Sequence, residues 1–213
     1  MVYFIILVAA IAIFAYLVLS MEAFGAEPQG ERLKRMLKSE NYKDKQFQNQ
    51  SFTPSVAEGY SMPKIVFNFF FSKKDPLLKP LRAIPTVQTD LKNLPDHEDV
   101  FIWMGHSSYF IKIDGVSFLI DPVLSTYGSP FKFFNKAFEG SDLYKPQDIP
   151  NIDYLVITHD HYDHLDYPTV KSIREKVGKV IMPLGVGAHF EKWGYDPEKF
   201  IEENWDTTVR LKD

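Results

Sequence analysis

Residues 152–164 read Ile152-Asp153-Tyr154-Leu155-Val156-Ile157-Thr158-His159-Asp160-His161-Tyr162-Asp163-His164. The first seven form an apolar run interrupted only by Asp153, with the length and β-branched content of a buried strand. The next six follow the pattern H-x-H-x-D-H and hold three of the chain's six histidines. At the C-terminal end of such a strand they lie in the crevice where open α/β sheets bind ligands. His159 and His161 are two residues apart, so in extended backbone their imidazoles point the same way and share one metal ion. Asp163 and His164 follow as the chain turns, and face a second ion beside the first. Neutral imidazole and carboxylate oxygen suit Zn²⁺, and are compatible with Fe or Mn. A polar loop or a helix cap is the plainer reading, but a cap needs one Asp, not a run of His and Asp.

Reading forward, Pro168 suits the first turn of a helix, on which Val170, Ile173 and Val177 recur at i, i+3 and i+7 before Gly178. Lys179–Met182 is a short apolar strand, Val186–Trp193 a second helix, and Thr207–Leu211 a last strand. Strand, helix, strand implies parallel pairing. Reading backward, Pro122–Pro150 is irregular and rich in Phe. Before it stand three apolar runs, Val100–Met104, Tyr109–Ile113 and Val116–Ile120. Asp114-Gly115 joins the last two in a tight hairpin, because both positions tolerate φ > 0. The body that begins near Asp99 is therefore α/β, with antiparallel hairpins first and parallel units after.

The 213 residues suffice for one domain and an appendage, and the 45% hydrophobic, 24% charged composition is that of a globular chain. A net charge of −4 gives no reason to expect nucleic acid as a partner. With no cysteine in the chain, thiolate metal sites, disulfides and cysteine nucleophiles are excluded. From Val2 to Leu19 every residue is apolar or Tyr, a run about 27 Å long as a helix, close to the thickness of a bilayer's hydrocarbon core. A cleaved signal peptide would need a basic segment before the run and small residues at −3 and −1. Only Met1 precedes it, and cuts after Ala23 or Ala26 place Met21 or Phe24 at −3. The expectation is a single-pass anchor. Arg32, Lys34, Arg35, Lys38, Lys43 and Lys45 follow the span, which places the body on the cytoplasmic side.

Residues 21 to about 95 are polar and Pro-punctuated, and read as an exposed connector with one short helix around Glu31–Lys38. Within it lies KIVFNFFFSKK, Lys64 to Lys74, too short to span a bilayer. Two readings stand: a strand or short helix packed on the body, or a segment lying at the membrane interface between its flanking lysines.

The H-x-H-x-D-H loop in this setting resembles the metallo-β-lactamase superfamily. Trp103-Met104-Gly105-His106-Ser107-Ser108, Ile111-Lys112-Ile113-Asp114-Gly115 and Leu119-Ile120-Asp121-Pro122-Val123 are similar to the opening of one branch. That branch holds the N-acyl-phosphatidylethanolamine phospholipase D-like enzymes and the ascorbate-phosphate lactonases. Pro183–His189, Trp193-Gly194, Gly30–Leu33, Asn41-Tyr42 and Phe47–Asn49 extend the likeness over nearly everything after residue 24. The resemblance implies an αββα sandwich with two zinc ions, of which this chain holds the N-terminal half, preceded by the transmembrane helix. With the apolar run and the polar stretch read above, the chain divides into an anchor (1–20), a connector or N-terminal extension (21–95) and an incomplete metallo-β-lactamase-like domain (96–213). His159 and His161 would bind the first zinc, and Asp163 and His164 the second. A hydroxide bridging the ions would be the nucleophile, with Asp163 as the catalytic carboxylate that orients it and accepts its proton. Asp121 and His106 are candidates for holding the ligands in place from behind. His189 reads as a structural histidine on a helix, and His97 as a solvated one.

The function this implies is hydrolysis, foremost of a phosphodiester in an N-acyl-phosphatidylethanolamine-type phospholipid. A soluble lactone or ester is the alternative substrate, and a truncated, inactive member is the third reading. In this family further His and Asp ligands are expected well beyond His164, whereas the chain offers only His189 there. Two protein contacts per ion fall short of the three a catalytic zinc usually has. The 213 residues alone are therefore expected to be inactive or nearly so.

Overall fold

In the computed structural model, which describes residues 1–211, Asp114 and Gly115 take φ values of 50° and 75° and close the hairpin expected of them. The chain begins with α1 (Val2–Leu19), followed by α2 (Gly30–Leu37), the two-stranded ribbon β1 (Tyr42–Lys43) and β2 (Gln46–Phe47), and α3 (Met62–Phe71). The body consists of β3 (Val100–Gly105), β4 (Ser108–Ile113), β5 (Val116–Ile120), β6 (Ile152–Val156), α4 (Tyr167–Ile173), β7 (Val177–Pro183), α5 (Gly187–Lys192) and β8 (Phe200–Glu203). Its six strands form one sheet in sequence order, β3 to β8. The first two pairings are antiparallel and the last three parallel. This is the α/β architecture expected, with hairpins first and crossover units after.

The directions of the strands decide where a site forms. Because β3 and β5 are both antiparallel to β4, and β5, β6 and β7 are parallel, the C-terminal ends of β3, β5, β6 and β7 share one edge of the sheet. Beneath that edge lies the core: Phe110, Leu119, Leu155 and Val180 from the strands pack with Val170 and Ile173 of α4 and Phe190 of α5. Each such side chain contributes roughly 1.5–3 kcal/mol by leaving water.

Two elements differ from the sequence expectation. The helix after Pro168 ends at Ile173, and Val177 opens β7 instead of closing a helix, with Gly178 already in the strand. A Cβ on Gly178 would come within 2.7 Å of the Asp153 carbonyl, so glycine here permits close strand approach. The last strand is Phe200–Glu203, and residues 207–211 are not in a strand. Its two glutamates masked it: Glu202 is a buried residue, 6% exposed, because Arg32 neutralises it.

That pair shows that the expected exposed connector is in part packed. Arg32 Nε donates to both carboxylate oxygens of Glu202 at 3.1 and 2.9 Å, and Gly185 N–H donates to the same carboxylate. Lys171 pairs with Glu22 at 2.7 Å, the Trp193 indole donates to the Glu22 carbonyl at 2.8 Å, and Met36 is buried. By contrast, nearly every residue from 51 to 83 is exposed. α3 belongs to that stretch and buries none of its residues, so it does not pack on the body. Helix α1 is long and apolar enough to cross a membrane, near the N-terminus where signal sequences also lie, and none of its residues is buried in the molecule.

Candidate metal centre

The shared sheet edge gathers the His and Asp residues from three elements. His106 sits in the β3–β4 turn at φ 43°, next to Gly105 at φ 107°. Asp121 follows β5, and His159 to His164 follow β6. Leu165 N–H closes a tight turn on the His161 carbonyl at 2.7 Å and His164 N–H on the same oxygen at 2.9 Å, which folds His164 back toward His159. Their rings lie 4.0 Å apart, the His159 and His161 rings 4.7 Å apart, and the His106 and His164 rings 5.3 Å apart. The His106 Nε2 to Asp163 Oδ2 distance is 3.1 Å, and one ligand atom each from His106, Asp163 and His164 lie within 4.8 Å of one another.

Asp121 organises this group from below. It is 2% exposed, and its φ of 42° is a left-handed conformation that Asp tolerates better than most residues. Its carboxylate accepts from Thr158 N–H at 2.8 Å, from Thr158 Oγ1 at 2.6 Å and from His164 Nδ1 at 2.9 Å. Because a carboxylate only accepts, the His164 proton sits on Nδ1 and Nε2 keeps its lone pair. The Thr158 hydroxyl spends its proton on Asp121, so at 3.0 Å from His159 Nδ1 it is an acceptor there too. His159 is thereby held in the same tautomer. Burial, then the neighbouring His164 and His161, holds the His159 pKa below the ordinary imidazole value, which favours the neutral form that binds cations. One buried carboxylate thus sets the tautomers of two neighbouring imidazoles, whose rings lie 4.0 Å apart. The donor atoms of His106, Asp163 and His164, within 4.8 Å of one another, form an N/O set that fits a divalent metal ion.

Asp166 ties the layer behind the loop together. It accepts from Ser125 N–H at 3.1 Å and Ser125 Oγ at 2.9 Å, and Leu124 N–H donates to Thr169 Oγ1 at 3.0 Å. Burial raises its carboxyl above the usual range. Gly128 packs on Asp163, where a Cβ would meet the Asp163 Cβ at 2.9 Å. His189 stands apart from the cluster: its Nδ1 accepts from Ala26 N–H at 3.0 Å, and its Nε2 faces Asp160 at 4.0 Å. This contact is the main reason that the Asp160 carboxyl lies below its ordinary value. His97 shows no such partner among the described residues and lies in the exposed stretch before β3.

Two cavities flank the loop. One of about 490 Å³ has His106 and Asp163 on its wall, with Trp103, Phe138 and Ile84 as apolar lining and Lys136 beside them. The other, of about 610 Å³, carries His159 and His161 and is walled by the packed extension, including Pro28, Tyr42 and Phe47. Sequence reading singled out all four loop residues, Asp121 and His106, but not Thr158, Ser125 or Asp166. Thr158 had a signal, since it separates the strand from the first histidine. Asp166 had one as a helix-cap position before Pro168, where it stands, but its tie to Ser125, 41 residues away, had none.

Residues 117–213, just under half of the chain, match the family model of the beta-lactamase superfamily domain, which supports the likeness of this part to the metallo-β-lactamase superfamily. An uncharacterized protein of Mycobacterium tuberculosis is 32% identical over 144 residues, covering 62% of this chain and 36% of that protein. The N-acyl-phosphatidylethanolamine-hydrolyzing phospholipase D 1 of Caenorhabditis elegans is 33% identical over 117 residues, 48% of this chain and 30% of that enzyme. Proteins named metal-dependent hydrolases are among the further matches, over about 30% of this chain. Among solved structures, the diiron β-hydroxylase CmlA from Streptomyces venezuelae matches at 31% identity with a TM-score of 0.44, covering 56% of this chain and 23% of that one. The chain spans about a third of the length of the curated relatives it matches.

Proposed function

We propose that this chain carries the metal-binding loop of a zinc-dependent phosphodiesterase acting on phospholipids of the N-acyl-phosphatidylethanolamine type. The observation that carries the reading is the Asp121 relay, which orients His164 directly and His159 through Thr158, with the His164 ring and Asp163 offering donor atoms within 4.8 Å of each other. His159 and His161 would hold one ion, and Asp163 and His164 the other. When bound, such ions acidify water and polarise a phosphoryl oxygen. Asp163, on the wall of the 490 Å³ cavity, is placed to orient the attacking water and take its proton. His106, 3.1 Å from that carboxylate, fixes its orientation.

The cavity's composition supports an amphiphilic substrate. Trp103, Phe138 and Ile84 offer an apolar wall to an acyl chain. Lys136 also lines an adjoining cavity of about 590 Å³ with Lys79 and Arg82, and these cations, which outnumber Glu139 and Asp142 there, suit a phosphodiester charge. The likeness to the nematode phospholipase points the same way. The test is hydrolysis of N-acyl-phosphatidylethanolamine assayed in parallel with lactones. Release of phosphatidic acid supports the proposal, and activity on lactones alone refutes the phospholipid reading. A second reading follows from that division of ligands: the loop gives each of two ions only two protein contacts, below the usual three, and His106 would add a third to one of them alone. On that count the 213 residues alone turn over little or nothing. Turnover abolished both by His161→Ala and by a chelator would refute this.

α1 is proposed as a single-pass anchor with the body on the cytoplasmic side. Because α1 buries none of its residues in the molecule, its removal takes no packing from the body. Deleting residues 1–21 is expected to move the protein from the membrane fraction to the soluble fraction, and continued integral behaviour would contradict the anchor.

A further inference from the structure

We infer that α3 is a second lipid contact, an interfacial helix that lies on an anionic bilayer surface and holds the mouth of the cleft against it. Ten residues at about 1.5 Å each give a helix half as long as the hydrocarbon core is thick, so it cannot span. Its residues are sorted by face. Within the helix Lys64 and Asn68, at i and i+4, make one polar stripe, with the polar caps Ser61 and Ser72 at its two ends. The rest of the circumference is Ile65, Val66, Phe67, Phe69, Phe70 and Phe71, all between 40% and 74% exposed. Among the described residues the rings meet no other aromatic ring: Phe67 lies tilted against Phe71 at 4.9 Å and Phe69 edge-on to Phe70 at 5.1 Å. A soluble surface rarely leaves four contiguous aromatic side chains in water.

Charge selects the occupant. Between residues 61 and 82 there are five basic residues and one acidic, on a chain whose net charge is −4. Lys74 reaches back over the Phe69 ring at 4.7 Å, placing an ammonium at the level where the apolar face ends. An apolar face rimmed by cations matches anionic lipid, with acyl chains below and phosphates beside the lysines. The segment after α3 continues the theme. Leu77, Leu78 and Leu81 are 78%, 63% and 82% exposed, and Lys79 and Arg82 line the cavity that adjoins the Asp163 cleft. Lipid bound along α3 and this segment is thus delivered beside the cleft. The inference rests on α3's own surface, and holds whatever reaction the cleft performs.

The chain has no cysteine, so single variants Phe70→Cys, Asn68→Cys and Ile11→Cys of the full chain each take one nitroxide label. The labelled proteins are reconstituted in phosphatidylcholine vesicles containing a minority of phosphatidylglycerol. Collision rates with oxygen, which partitions into lipid, and with a water-soluble nickel complex are then read by electron paramagnetic resonance. The oxygen-to-nickel ratio at position 70 is expected to exceed that at position 68 several-fold, and the difference to shrink in pure phosphatidylcholine. Equal, water-like ratios at 68 and 70 in the anionic vesicles would overturn the proposal. So would dipolar broadening between labels at position 70, which would mean that a second copy covers the helix. Position 11 reports separately on α1: a water-like ratio there refutes the span, while position 70 still decides α3.

Discussion

Replacing Asp121 with alanine is expected to weaken metal binding about 10- to 100-fold, the loss typical when the group that orients metal ligands is removed. The reason is specific to this carboxylate. It receives three hydrogen bonds, from Thr158 N–H, Thr158 Oγ1 and His164 Nδ1, and so sets the tautomer of His164 directly and of His159 through the threonine. Asp121→Asn separates orientation from packing. Asparagine tolerates the φ of 42°, so the turn survives. Its amide, however, offers one acceptor oxygen and one donor nitrogen to a set of donors. If the NH₂ faces His164 Nδ1, the ring's proton moves to Nε2 and the lone pair offered to the metal is lost. Isothermal titration with Zn²⁺ should therefore find Asp121→Asn nearly as weak as Asp121→Ala, with an unchanged far-UV spectrum. Wild-type affinity in the Asn variant would show that the relay does not set the ligands.

The second large effect concerns stability. Arg32→Ala strands Glu202, 6% exposed, without its counter-charge, and breaking a buried pair in this way costs about 3–5 kcal/mol. For a chain of this size that corresponds to a fall in Tm of roughly 6–20 °C. The pair sits over Gly187, where a Cβ would come within 2.6 Å of Glu202 Oε2, so no side chain there replaces the lost guanidinium. Arg32→Met combined with Glu202→Gln is expected to recover most of the loss, because the amide oxygen still accepts from Gly185 N–H while no charge remains buried. Differential scanning fluorimetry in detergent reads both. A Tm within a degree or two of wild type in Arg32→Ala would mean that the extension does not depend on this pair.

What was legible in the sequence follows from how local each signal is. The H-x-H-x-D-H run, the Asp114-Gly115 turn and the apolar run Ile152–Thr158 are each encoded within a few adjacent residues, and the strands and the hairpin lie where these signals place them. β8 escaped because its acidic residues look solvated until Arg32, 170 positions away, is known to cover one of them. The docking of residues 22–36 escaped for the same reason: it runs through single long-range contacts such as Trp193 Nε1 to the Glu22 carbonyl. For the site, Asp121 was suggested by its place at a strand end. Its control of two tautomers depends on Thr158 standing between carboxylate and imidazole, a geometry that spacing alone does not encode. α3 was visible as an apolar segment, and only the fold shows that the body does not cover it.

Whether the loop after β6 holds a divalent metal is decided by elemental analysis of the purified full chain and of His159→Ala and His161→Ala. Zinc is expected in the wild-type protein and a clear loss of it in both variants, with the fold retained by circular dichroism. Metal content unchanged in both variants, or a wild-type chain that takes up no metal when zinc is supplied, would contradict metal binding by the loop.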